Sequence, residues 1–102
     1  MGVIVWSKLA YKDIDQIHEY ISKDSHFYAR KTIEIIIARV ESLEEFPESG
    51  RVVPEFENPD IRELIENNYR IVYRFVKPTI TILRIHHGAR DLSRLKKGIR
   101  SK

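Results

Sequence analysis

Apolar residues change their spacing twice along this chain, and each change marks a new kind of element. VIVW (3–6) is a short apolar run ahead of a helix signal and predicts a buried strand. Ser7 can cap the helix that follows. There Ala10, Ile14, Ile17 and Ile21 recur at helical spacing, with Lys8, Lys12, Asp15 and Glu19 outside. SKDS (22–25) interrupts this helix and offers Asp24 or Ser25 as a new N-cap. A second stripe of Ala29, Ile33, Ile36, Val40 and Leu43, with Ile37 beside it, predicts a second helix ended by Pro47. Two amphipathic helices joined by so short a link predict an antiparallel hairpin.

ESGR (48–51) reads as a turn, and a polar stretch around Pro54 and Pro59 follows it. From Ile61 the period becomes two. IRELI (61–65), YRIVYRFV (69–76) and ITILRIHH (80–87) read as three strands joined by ENN and KPT turns. Consecutive strands with short connections make an antiparallel meander. The predicted fold class is therefore α+β, in the order β-α-α-β-β-β. It is a single domain over residues 1–102, with the helical hairpin on one face of the sheet and a basic C-terminal tail. RDLSRLKKGIRSK at the end predicts a short helix starting near Asp91 and fraying at Gly98.

One hairpin covers one face of a sheet. With Val76 and Thr79 flanking the last turn, Tyr73 falls opposite Ile82, and Val72 opposite Leu83. That register puts Tyr69, Ile71, Tyr73, Phe75, Ile80 and Ile82 under the helices. Arg70, Val72, Arg74, Thr81, Leu83, Ile85 and His87 are expected on the opposite face, where apolar residues mixed with arginines mark a surface for a partner.

Composition narrows the picture. An apolar content of 42% with 32% charged residues is that of a globular protein rather than a disordered one. No apolar run approaches the roughly 20 residues that span a bilayer, so no membrane partner is expected. The N-terminus lacks the basic and apolar regions of a secretory signal. The absence of cysteine excludes disulfides and thiolate chemistry and suits a cytoplasmic location. The net charge of +3 is unevenly spread. Residues 84–102 hold seven basic side chains, Arg90, Arg94, Lys96 and Lys97 among them, against Asp91 alone. Such a basic end fits an anionic partner, either nucleic acid or an acidic protein segment; a solvated terminus is the alternative.

Nucleotide-cradling glycine loops are absent, and the four histidines follow no ligand spacing, so neither a metal nor a cofactor is expected. His86 and His87 should project to opposite faces of the last strand. His87 with Arg70 and Arg90 would form a cationic cluster containing one group that titrates near neutrality. A cluster of this kind can bind phosphate. Cleavage of RNA by its own 2′-hydroxyl needs little beyond a base, cations for the charged phosphorane and an acid for the leaving oxygen. The competing reading is that the cations bind a carboxylate-rich partner and do no chemistry. Glu55, in the loop before the sheet with Glu48 and Glu57, is either a base or a solvated loop residue.

Several stretches together resemble the RelE/ParE superfamily, the toxins of type II toxin–antitoxin modules. They are the opening strand with W-S-x-x-A, F-P-x-x-G-R-x-V-P-E at 46–55, R-E-L at 62–64, Y-R-I-x-Y at 69–73 and I-x-H-G-A-R-D-L at 85–92. The resemblance covers nearly the whole chain and implies the same β-α-α-β-β-β fold. It also implies one of two targets. RelE-like members cleave mRNA in the ribosomal A site without metal, and ParE-like members poison DNA gyrase. Arg70 and Arg90 match the two arginines that RelE-like enzymes place at the scissile phosphate, and Glu55 and His87 are loose stand-ins for a Glu and a His of other nuclease members. Ile61 and Glu63 occupy the places of the paired lysines, Lys96 occupies that of the catalytic tyrosine, and no tyrosine follows Tyr73. The pattern leans towards a ParE-like toxin, with the mRNA endonuclease as the alternative and a plain nucleic-acid-binding module third. Either toxin class implies a cognate antitoxin, encoded next door, whose apolar and acidic residues would meet Arg62, Arg70, Val72, Arg74, Leu83, Ile85, Arg94, Lys96 and Lys97.

Overall fold

The computed structural model describes residues 2–88. Among them the elements are β1 (Val3–Trp6), α1 (Lys8–Ser22), α2 (His26–Glu41), a single 3₁₀ turn (Ser42–Glu44), β2 (Arg51–Val52), β3 (Ile61–Glu66), β4 (Tyr69–Val76) and β5 (Thr79–His87). The strands form one sheet in the order β1-β5-β4-β3-β2. Both helix starts follow the capping signals. Ser7 Oγ accepts from Ala10 N–H at 3.0 Å, and Ser25 Oγ accepts from Tyr28 N–H at 3.1 Å.

β3, β4 and β5 form the expected antiparallel meander. Two features enlarge it. β1 pairs parallel with β5, which makes the sheet mixed, and ESGR is not only a turn, because Arg51 and Val52 pair with Glu63 and Arg62 as β2. Parallel pairing leaves no local mark in a sequence, and a two-residue strand is too short to show a period.

Residues from both helices and four strands build one core on the helical side: Ala10, Ile36, Val40, Leu43, Leu64, Ile71, Tyr73, Ile80, Ile82 and Ile85, with Ile4 and Trp6 packed against them. The Tyr73 hydroxyl donates to Pro47 C=O at 2.8 Å and accepts from Gly50 N–H at 2.9 Å, which ties the end of the helical half to the sheet. A Cβ on Gly50 would lie 2.6 Å from that hydroxyl and 2.7 Å from Glu63 O, so only glycine fits there.

The register holds from the turn to Tyr73 opposite Ile82 and then breaks. A β-bulge follows, so Val72 faces Arg84, Ile71 faces Ile85, Arg70 faces His86 and Tyr69 faces His87. Leu83 is the extra residue. Every residue after it therefore changes face relative to an unbroken alternation. Ile85, expected on the partner surface, is instead buried in the helical core, and His87 pairs across from Tyr69 at the end of β5.

The opposite face is also less open than expected. Val53 and Phe56, from the stretch that reads as polar, fold over Ile61 and Val72 with Leu83 at the margin. Val72 is fully buried and offers nothing to a partner. Beyond this lid the sheet stays uncovered, with Val3, Val5 and Val76 exposed.

Candidate functional site

The site grows from the β3–β4 hairpin. Glu66 and Tyr69 pair across a two-residue turn in which Asn67 takes a left-handed φ of 54°, a conformation asparagine tolerates well. That turn fixes Ile65 opposite Arg70 and Glu63 opposite Val72. Glu63 and Arg70 thus become diagonal neighbours on one face. β2 then places Arg51 opposite Glu63 from the other side.

Glu63 receives both arginines. Arg70 Nε donates to Oε1 at 2.6 Å and Arg70 Nη2 to Oε2 at 2.8 Å, a bidentate fork. Arg51 Nε donates to Oε2 at 2.6 Å. The carboxylate has no solvent-exposed surface, the Arg70 side chain is 13% exposed and the Arg51 side chain is 62% exposed. Burial alone would push the Glu63 carboxyl up, but the hydrogen bonds from Arg70 and Arg51 outweigh it and hold the group below the usual carboxylate range. The Arg70 pKa is raised, chiefly by its hydrogen bond to Glu63, with a smaller electrostatic contribution from Glu55. Two cations thus share one anion, and the surplus positive charge lies towards solvent at Arg51.

A hollow of about 400 Å³ opens beside this group, bordered by Arg51, Asn67, Asn68, Arg70 and His87. The structure therefore brings Arg70 and His87 to one place, with Glu55 close enough for its charge to act on Arg70. His87 also meets the Tyr69 ring edge-on at 5.8 Å. His86, cross-strand from Arg70, is buried, and burial lowers its pKa, which favours the neutral imidazole beside the arginine.

Other residues expected at a binding surface have work inside the fold. Arg62 donates to Gly50 C=O at 2.8 Å and to Glu48 C=O at 3.3 Å, holding the loop before β2. Leu83 packs at the edge of the Val53–Phe56 lid. Arg74 lies between Ile61 and Thr81, half-buried, on the side that the lid leaves open. Arg90, Arg94, Lys96 and Lys97 lie outside the described residues, as does the predicted helix from Asp91.

Glu63 was legible as a residue but not as a partner. The hairpin register alone makes it a diagonal neighbour of Arg70, and that was the available signal. Asp13 and Arg84 were missed altogether. Asp13 lies within the buried stripe of α1, between Ala10 and Ile17, where a carboxylate needs a partner. It accepts Arg84 Nε at 2.9 Å, Arg84 Nη2 at 3.0 Å and Ile85 N–H at 2.9 Å, at the edge of β5 beyond its pairing with β1.

Among the described residues no group of histidines or carboxylates is arranged to hold a metal, and no helix is long and apolar enough to cross a membrane. With Arg70 neutralised, the site can attract an anion weakly through Arg51, but it cannot offer both arginines to a phosphate unless Glu63 is displaced.

The family model described as the ParE toxin of type II toxin–antitoxin system, parDE, matches residues 4–92. Toxin RelE2 of Caulobacter vibrioides is 32% identical over 91 residues, which cover 88% of this chain and 99% of that protein. Among solved structures, a chain of the chromosomal ParDE TA system from P. aeruginosa superposes with a TM-score of 0.71 at 28% identity, covering 85% of this chain and 96% of that one. A chain of the toxin–antitoxin complex RelBE2 from Mycobacterium tuberculosis gives a TM-score of 0.63 at 18% identity, covering 84% and 96%, and shares the fold.

Proposed function

This chain belongs to the ParE toxin family of type II toxin–antitoxin systems, within the RelE/ParE superfamily, and from that premise we propose that it arrests growth by poisoning DNA gyrase rather than by cutting mRNA. The observation that carries this reading is the bidentate hold of Glu63 on Arg70. RNA cleavage by the RelE-like route needs that arginine on the scissile phosphate, and here a buried carboxylate already takes its donors. A toxin that acts by binding protein has no such requirement. Membership of a type II system also supports a cognate antitoxin. Its acidic and apolar residues fit the uncovered end of the far face, where Arg74 shares a register row with the exposed Val5, close to the row of the exposed Val3 and Val76.

The second reading is the metal-independent, ribosome-dependent mRNA endonuclease, with Arg70, Arg90, His87 and Glu55 at the phosphate. It draws on one observation, the hollow that Arg51, Arg70 and His87 share. Induced expression separates the two. Gyrase poisoning gives an SOS response and gyrase-linked DNA breaks while mRNA stays intact. Codon-phased mRNA cleavage without DNA damage would overturn the first reading.

A further inference from the structure

Glu63 has the geometry of an internal anion seated where an external one would bind. Its two oxygens accept three hydrogen bonds from two guanidinium groups, from opposite sides, with no contact to water. Arg70 approaches in the fork arrangement that matches a phosphate as well as it matches a carboxylate. The hollow of about 400 Å³ bordering both arginines, Asn67, Asn68 and His87 is large enough for a phosphate group once the carboxylate charge is gone. We propose that Glu63 is a specificity-determining residue that keeps phosphate off the Arg51–Arg70 pair, so that neutralising this one side chain converts the site into a binding site for phosphate and for the backbone of single-stranded RNA. The proposal deepens the reading of a protein-directed toxin and rests on it, because it gives the physical reason why this surface passes nucleic acid by.

The energetics favour a latent site rather than a collapsed one. Removing the partner of a buried, hydrogen-bonded cation is strongly destabilising, since the remaining charge is left unpaired. Any anion that reaches the two arginines recovers part of that loss, and the recovery appears as ligand-dependent stabilisation of the folded state. Glu63→Gln keeps the shape and removes the charge. Its melting temperature should rise by about 5 °C in inorganic phosphate relative to chloride at equal ionic strength, the shift expected when phosphate is roughly two- to seven-fold above half-saturation in a chain of this size. The wild-type protein should move by less than about 1 °C under the same exchange.

A fluorescent single-stranded RNA should bind Glu63→Gln at least about tenfold more tightly than wild type at low salt, and adding Arg70→Ala should abolish the gain. Glu63→Asp is the safer second variant. It keeps the charge and shortens the reach, so one arginine loses its partner and an intermediate phosphate response is expected even where Glu63→Gln folds poorly. Equal phosphate responses in wild type and both variants, or none in any of them, overturn the proposal. The outcome is independent of the target assignment. A phosphate gain in Glu63→Gln with no gyrase damage by the wild type sinks the target reading alone, whereas gyrase damage with no phosphate gain sinks this proposal alone.

Discussion

Two carboxylates are buried against this sheet, and each holds an arginine through a two-pronged contact. Asp13 grips Arg84 and Glu63 grips Arg70, with similar distances and little solvent around either acid. Their settings differ. Asp13 stands on α1 and reaches across to β5, where it also takes the Ile85 N–H that β1 leaves without a strand partner. It joins the two layers and finishes a sheet edge. Glu63 stays inside the sheet, between β2 and β4, takes no backbone donor and gathers a second arginine instead. The same pair of functional groups is a staple in one place and a charge trap in the other.

The largest effect is therefore expected at the staple. Asp13→Ala removes both prongs of the Arg84 contact and leaves the buried Ile85 N–H unpaired, so a loss of about 3–5 kcal/mol is expected in urea unfolding. Glu63→Ala should cost somewhat less, about 2–4 kcal/mol, because Arg51 can turn to water while Arg70 cannot. A double replacement divides the two regions more sharply. Glu63→Leu with Arg70→Met exchanges one shielded ion pair for apolar contacts and should stay within about 1 kcal/mol of wild type. Asp13→Leu with Arg84→Met should remain destabilised by about 1–3 kcal/mol, since no hydrophobic side chain accepts the Ile85 N–H. Equal costs for the two double variants would erase the distinction drawn here.

How far this distinction could be read in advance depends on which interactions are local. The helix caps at Ser7 and Ser25 and the turn around Asn67 are written in neighbouring residues, and they mark where the elements begin and end to within a residue or so. Glu63 against Arg70 follows once the two-residue turn sets the β3–β4 register, whereas the sequence alone marks Glu63 only by the lysine whose place it occupies. The Asp13–Arg84 pair spans 71 positions and depends on how α1 crosses β5, which no periodicity encodes. The bulge after Tyr73 was equally hidden. In TITILRIHH the only trace is that Ile82 and Leu83 stand side by side and shift the alternation by one, which is enough to move Ile85 into the core. Val53 and Phe56 were lost among prolines and acids because two apolar residues make no pattern until a sheet lies beneath them.

Acid should expose the buried titrating groups in sequence. His86 has a folded-state pKa below its usual 6.5, because burial disfavours the imidazolium, so the unfolded chain binds the proton more readily. Its contribution is present above about pH 6.5 and is lost as the pH falls below that value. Glu63 also titrates lower in the folded state than its usual 4.5, and its contribution is lost only as the pH falls below that range. Unfolding free energy measured against pH should therefore start to decline near 6.5 and decline again below about 4.5. His86→Leu should flatten the first decline, and Glu63→Gln the second. A single decline confined to the lower range would remove His86 from this account.

The smallest effect belongs to a third acid–arginine pair, Arg39 on α2 with Glu66 at the end of β3, 3.2 Å apart. It joins helix to sheet as Asp13 does, and its charges are the same. Both partners are partly solvated, with side chains 38% and 24% exposed, and water screens what they gain from each other. Arg39→Ala should therefore change stability by no more than about 0.5 kcal/mol in the same urea experiment. That small value is informative beside the large one expected for Asp13. If joining the layers were what made Asp13 matter, Arg39 would matter nearly as much. If the decisive factors are exclusion of water and the backbone amide that Asp13 alone satisfies, the two substitutions will differ by several kcal/mol.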